Sequence, residues 1–216
     1  MLDALLFAKT PALFRILYKD CTWKVDTTEK KIFLTFDDGP IPGVTPFVLD
    51  QLKKHQAKAT FFCIGKNIKA NPAIYKRIIK EGHRIGNHTF DHFNGWNHIN
   101  KNYYTNIDKC SRVLNGLKTP KNKDGKLLFR PPYGKLKPSQ YKALKSKLNI
   151  VMWDVLTFDF DTQKTKEQVL KTALKYTEPG SIIVFHDSLK ARPRLEYALP
   201  KVLEHFSAKG YKFDRL

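Results

Sequence analysis

A chain of 216 residues with 42% hydrophobic and 12% aromatic content has the composition of a globular protein and the length of one large domain, which excludes a disordered or fibrous chain. Lysine and arginine number 39 and aspartate and glutamate 20, so the formal charge of +19 favours acidic partners: an anionic polysaccharide, a phospholipid surface or nucleic acid. The three cysteines, Cys21, Cys63 and Cys110, are widely spaced, odd in number and without a Cys-x-x-Cys pair, which argues against a disulfide framework and a cysteine zinc site.

Residues 1–30 read as an N-terminal arm that packs on a domain formed by residues 31–216. The arm's apolar run Ala4 to Ala8 is short and lacks a basic leader, so no secretory signal is expected; no uncharged run approaches the ~20 residues of a membrane span. Peripheral contact with a membrane surface is the weaker reading of this arm. The run from Lys31 to Phe36 is β-branched and aromatic and predicts a buried strand, which meets Asp37 and Asp38 and then the breaker Gly39-Pro40.

Helical spacing follows over Thr45 to His55, a strand over Ala59 to Ile64, and a helix opened by Asn71-Pro72 and closed at Gly82. His83 to His88 predicts a third strand, Tyr103 to Leu117 a helix, and Leu127 to Phe129 a strand leading into Arg130-Pro131-Pro132-Tyr133-Gly134. Pro138 to Leu148 predicts a helix, Ile150 to Trp153 a strand and Thr165 to Tyr176 a helix. Ser181 to Phe185 is the most apolar strand, Pro193 to Ser207 is helical, and Tyr211 to Phe213 makes a last strand. Strand and helix alternate about seven times with no internal repeat or linker, which predicts a single parallel α/β domain, open sheet or barrel. Thr119 to Lys126 reads as a flexible basic loop. The lysines elsewhere, such as Lys53, Lys54, Lys76, Lys80, Lys164 and Lys166, are scattered over helix surfaces and loops. No nucleic-acid motif accompanies them, so a solvated basic face is expected and no specific nucleic-acid partner.

Active sites of parallel α/β folds lie at the carboxyl ends of the strands. Titratable groups follow five predicted strands: Asp37-Asp38, His88 to His92, Arg130 with Tyr133, Asp159, and His186-Asp187. His88 and His92 have the i, i+4 spacing that puts two imidazoles on one helical face. Two histidines need a third ligand to hold zinc, and Asp37 or Asp38 is the natural donor; such a set leaves a position for water, the catalytic arrangement. His55, His83, His98 and His205 read as ordinary core or surface histidines, and Cys63 as a small buried hydrophobe. Asn87-His88-Thr89 matches a glycosylation acceptor, which is set aside without a secretory signal. Gly-x-Ser-x-Gly, Rossmann and phosphate-loop patterns are absent.

Thr35-Phe36-Asp37-Asp38-Gly39, His88-Thr89-Phe90-Asp91-His92, Arg130-Pro131-Pro132-Tyr133-Gly134, Asp159-Phe160 and Val184-Phe185-His186 together resemble the five ordered motifs of the polysaccharide deacetylase family, the NodB-homology or family-four carbohydrate esterases. The likeness runs from Lys31 to the C-terminus. It implies a distorted (β/α)7-type barrel and metal-dependent removal of N- or O-acetyl groups, above all N-acetyl, from a glycan such as chitin oligomers, peptidoglycan or xylan. It further implies Asp37 as general base and Asp38, His88 and His92 as ligands of a divalent metal, usually Zn2+. Arg130 would orient Asp37, the Tyr133 N–H would stabilise an oxyanion, and His186 would be the general acid, oriented by Asp159 with Asp154 and Asp161 as rival partners. One departure stands out: the fourth motif usually has Asp-Trp, and Asp159-Phe160 lacks the indole N–H. Tyr133, Trp96, Phe158 and Phe160 are candidate aromatics to stack on sugar rings. The basic surface suits an anionic cell-envelope polysaccharide. The lack of a visible signal defaults to the cytoplasm, whereas such a substrate points to the envelope. A non-catalytic carbohydrate-binding barrel and a basic lipid- or nucleic-acid-binding module are the rival readings; motif integrity argues against the first.

Overall fold

The structure, a computed structural model, describes residues 7–117 and 124–216. The larger part of the predicted loop Thr119 to Lys126, and the start of the run Ala4 to Ala8, lie outside the described residues.

Seven strands form one curled sheet: β1 (Lys31–Asp37), β2 (Ala59–Cys63), β3 (Arg84–Asn87), β4 (Leu128–Phe129), β5 (Asn149–Ile150), β6 (Val155–Leu156) and β7 (Ile182–His186). Their order is β5-β4-β3-β2-β1-β7-β6, and every pairing is parallel. A short β8 (Lys212–Phe213) pairs with the start of β1. Parallel neighbours need crossover connections. These contain α2 (Val44–Lys54), α3 (Gly65–Ala70) with α4 (Pro72–Lys80), α5 (Asn100–Gly116), α6 (Pro138–Leu144), α7 (Lys166–Tyr176) and α8 (Arg192–Ala208). Among the described residues no helix is long and apolar enough to cross a membrane.

Strand alternation sorts β1 onto two faces. Ile32, Leu34 and Phe36 join the main core with Leu49, Val202 and Leu203 of the helices, and Phe36 stacks between Phe61 and Phe185 of the neighbouring strands. Phe33 instead joins Phe62, Leu128, Val151 and Ile182 in a second, smaller cluster on the other face. Thr35 and Asp37 share the face of Phe33, so the sheet's apolar interior leads upward to a hydroxyl and then a carboxylate.

The predicted strand Ile150 to Trp153 is instead the two-residue β5, with β6 a separate strand beyond it. The arm explains the break. Thr22 donates its N–H to Ile150 O and accepts from Met152 N–H, while Ala8 O accepts from Leu156 N–H. Residues 8–22 therefore touch both free edges of the sheet, β5 and β6, and take the places of the missing strand partners. Between these contacts the arm forms α1 (Ala12–Leu17). The helix α3, not expected, is short and carries Lys66, Asn67 and Lys69; Asn67 earns its position by donating to the Asp38 carbonyl at 2.7 Å.

Candidate active site

Arg130 is among the largest fully buried side chains of the described residues. It follows β4, and its guanidinium crosses the barrel interior to donate to Asp37 Oδ1 at 2.8 Å, Thr35 Oγ1 at 2.7 Å, Met152 O at 2.7 Å and Val151 O at 3.3 Å. Thr35 is free to accept because its own proton goes to Ile183 O at 2.7 Å. The guanidinium carbon lies 4.1 Å from the Phe62 ring centroid. A buried charge without partners is prohibitive, and this one has a carboxylate, three oxygen acceptors and an aromatic face. Burial still lowers the Arg130 pKa, opposed by Asp37. The second carboxylate oxygen of Asp37 lies 4.0 Å from His88 Nε2, and Asp37 lines the cleft.

Asp38, His88 and His92 offer ligand atoms that all lie within 4.8 Å of one another, so they form a group that could hold a metal ion. The spacing reaches this arrangement by a route other than a helical face. His88 to His92 is an irregular loop after β3, turned by left-handed backbone at Thr89 (φ 62°) and His92 (φ 59°) and pinned by Asn87 and Asn106, which accept the N–H groups of Thr89, Phe90 and Asp91. His88 Nδ1 sits 2.7 Å from Arg130 O, so Nδ1 carries the proton and the Nε2 lone pair faces the group. Burial lowers the His88 pKa to about 4, against the raising effect of Asp37, which keeps the ring neutral. Burial raises the Asp38 carboxyl, but the imidazoles of His92, His186 and His88 outweigh it and hold the group well below the usual carboxylate range. Asp38 Oδ1 is buried without a hydrogen-bond partner, 3.2 Å from His92 Nε2 and 3.8 Å from His88 Nε2. An orphaned carboxylate oxygen facing imidazole nitrogens is a donor set that fits a divalent cation such as zinc.

On the opposite side of Asp37, His186 ends β7. Its Nδ1 lies 2.7 Å from Asp159 Oδ1, and its backbone N–H donates to Asp159 Oδ2 at 2.7 Å. Burial pulls the imidazole down, but the fully buried Asp159 outweighs it and lifts the pKa to about 9. The two rival aspartates stand elsewhere. Asp154 pairs with Lys9, Arg15 and Ser181, and Asp161 receives the Gln163 N–H. Phe160 stands edge-on to the His186 ring, with centroids 4.9 Å apart.

These groups open into a cleft of about 570 Å3, walled by Tyr133, Trp153, Leu156 and Phe160. Of the four aromatics expected at the rim, Tyr133 and Phe160 line it, with the Tyr133 ring 4.7 Å from His92. Trp96 and Phe158 do not: the Trp96 indole is turned to Leu136 O, and Phe158 occupies a left-handed turn before Asp159.

The family model for polysaccharide deacetylases matches residues 24–153, more than half of the chain. The chain belongs to the polysaccharide deacetylase family. It is 36% identical over 195 residues to a peptidoglycan-N-acetylglucosamine deacetylase of Bacillus cereus, covering 89% of each protein. It is 33% identical over 202 residues to the peptidoglycan-N-acetylmuramic acid deacetylase PdaA of Bacillus subtilis, covering 91% of this chain and 74% of that one. The crystal structure of the Bc1960 peptidoglycan N-acetylglucosamine deacetylase in complex with 4-naphthalen-1-yl-N-oxidanyl-benzamide superposes with a TM-score of 0.84 at 34% identity, over 96% of this chain and 95% of that one. The curled sheet is thus the family's (β/α)7 barrel.

One more residue, Asp187, stands at a strand end in the sequence without an assigned role and joins the site in the structure. Asp187 is fully buried and accepts from Gly39 N–H at 3.0 Å, with Thr45 Oγ1 2.5 Å from its other oxygen. Burial raises it to about 8, Thr45 opposing and the Asp38 charge assisting. It ties the Asp37-Asp38 turn to β7, and the fit is tight: a Cβ on Gly39 would stand 2.0 Å from Asp187 Oδ2. Backbone strain marks the same region. Asp38, Thr89, His92, Tyr133 and Phe158 have positive φ, and Gln56 is the other such non-glycine among the described residues. Each costs on the order of 1–3 kcal/mol, and clustering of that cost at strand ends is the signature of a functional site.

Proposed function

We propose that this chain is a metal-dependent deacetylase that removes the N-acetyl group of an amino sugar in an acetylated, anionic envelope glycan of the peptidoglycan class. The observation that carries the reading is the placement of two Asp–His sets, Asp38 with His88 and His92 and Asp159 with His186, on either side of the Arg130-held Asp37 at one cleft. Asp38, His88 and His92 would hold the ion. When bound, the ion would act as a Lewis acid, polarising the acetyl carbonyl and lowering the pKa of water toward neutrality.

The remaining roles fall to protein groups. Asp37 accepts the proton of the attacking water through the oxygen that Arg130 leaves free. Arg130 fixes that carboxylate's direction. The backbone N–H of Tyr133 stabilises the tetrahedral oxyanion, a contribution of roughly 3 kcal/mol for such a donor in other enzymes. His186, charged at neutral pH, gives its Nε2 proton to the departing sugar amine as the C–N bond breaks, and Asp159 holds the ring for that transfer. The acetyl group thereby leaves as acetate carrying the water oxygen, and the sugar is left as a free amine. Lys135 and Lys190 line the cleft and form no ion pair among the described residues, which suits a substrate carrying carboxylates, as does the net charge.

The test is acetate release from acetylated peptidoglycan fragments and chitin oligomers, before chelation, after chelation and after zinc is restored. The proposal expects release that falls with the chelator and returns with zinc. Release that ignores the chelator, or none from any of these glycans by zinc-loaded protein, would refute it.

A further inference from the structure

Half of the large hydrophobic side chains exposed among the described residues lie between positions 7 and 17: Phe7, Leu13, Phe14, Ile16 and Leu17. Four of them belong to α1, which buries none of its residues. The one charged residue of that helix turns inward. The Arg15 guanidinium pairs with the fully buried carboxylate of Asp154, whose other oxygen receives Lys9 Nζ at 2.7 Å and Ser181 Oγ at 2.6 Å. Surface helices bury an apolar stripe and show their charges to water. Here the order is reversed, with Leu13, Ile16 and Leu17 exposed by 62%, 72% and 61%.

The reversal is fixed in place. Asp154 is a buried charge that needs both cations, so Arg15 is held against the protein and the opposite side of α1 is held outward. Thr10, just before the helix, donates its N–H to Asp154 O at 2.9 Å and its hydroxyl to Trp153 O at 2.7 Å. The Phe7 and Phe14 rings, 6.4 Å apart, extend the patch along the arm. Among the described residues, neither apolar cluster takes in Leu13, Ile16 or Leu17.

We propose that the outer face of α1 docks on an anionic lipid bilayer, with its apolar side chains entering the boundary between headgroups and acyl chains. Two observations select lipid over a protein partner. The patch consists of five side chains, whereas a stable protein interface takes roughly 20–30 residues a side. The chain's charge of +19 repels a second copy and matches an anionic surface, and Lys19 stands exposed next to the helix. Shallow insertion of an apolar face beside basic residues is the way interfacial helices bind such surfaces. Because Trp153 lines the cleft, docking would bring one cleft wall near the lipid.

The experiment is co-sedimentation of the full chain with phosphatidylcholine vesicles that either contain or lack phosphatidylglycerol. It compares wild type with a variant carrying Leu13→Ser, Ile16→Ser and Leu17→Ser, whose folding is checked by its melting curve. Wild type should bind the phosphatidylglycerol vesicles, and the variant should bind them at least about tenfold more weakly with its charge unchanged. Part of the wild-type binding should survive about 0.5 M salt, where charge attraction is screened within a few Å. A Leu17→Trp protein should show a blue-shifted emission on the same vesicles. Equal binding by wild type and variant would assign the effect to bulk charge and overturn the inference, as would no binding at all. A dimer in ultracentrifugation that the variant abolishes would also overturn it, by making a second copy the occupant.

Discussion

His88, buried, and His186, half-buried, are imidazoles at the end of a parallel strand, one on each side of Asp37, and each engages a neighbour through Nδ1 at 2.7 Å. The neighbours differ. Behind His88 stands the carbonyl of Arg130, a dipole without net charge, and burial wins: the ring is neutral, with its pKa near 4. Behind His186 stands the carboxylate of Asp159, and burial loses: the ring is charged, with its pKa near 9. One residue type thus presents a lone pair to one side of the cleft and a proton to the other, and the atom behind the ring decides which.

Removing the lone-pair side should have the largest effect. His88→Ala is expected to lose stoichiometric zinc, read by elemental analysis, with acetate release falling by about a thousandfold or more. Removing the proton side should separate the two functions. His186→Ala is expected to keep its zinc while turnover falls by roughly 10²–10³. Zinc loss in this variant would erase the distinction between the two histidines.

Converting one side toward the other is a finer test. Asp159→Asn replaces the charge behind His186 with a dipole, so the alkaline limb of the rate profile, expected near pH 9, should move down toward the ordinary histidine value of 6.5. Turnover at neutral pH should fall by about tenfold as the acid form is depleted. An unmoved limb would show that another group supplies the proton. The smallest effect is on folding. A histidine raised from 6.5 to about 9 stabilises the fold fully below about pH 6.5 and loses that contribution as pH rises to about 9. Denaturation midpoints should therefore fall across that window in the wild type, and fall less in Asp159→Asn.

The sequence made part of this comparison readable. Asp37 and Asp38 end an apolar strand, where a folding pattern alone has no use for paired acids, and the strand-end histidines and Arg130 followed the same logic. The fold class was readable because long apolar strands and helices alternate. Val155–Leu156 was not, since two residues carry no period, and neither was the part played by residues 8–22, whose edge pairing is non-local. The helical placement of His88 and His92 failed because left-handed backbone at Thr89 and His92 is imposed by the Asn87 and Asn106 side chains, and neither threonine nor histidine announces it. The choice of Asp159 over Asp154 and Asp161 depended on tertiary contacts: Asp154 is claimed by Lys9 and Arg15 from the far end of the chain. Asp187 was visible beside His186, but its tie to Gly39 and Thr45 was not.

The most direct measurement is the nitrogen-15 spectrum of the histidine side chains in the metal-free protein at neutral pH, assigned with His88→Ala and His186→Ala. The account predicts that His186 carries protons on both nitrogens and titrates near pH 9, while His88 is neutral with its proton on Nδ1. A neutral His186, or a His88 protonated on Nε2, would contradict it.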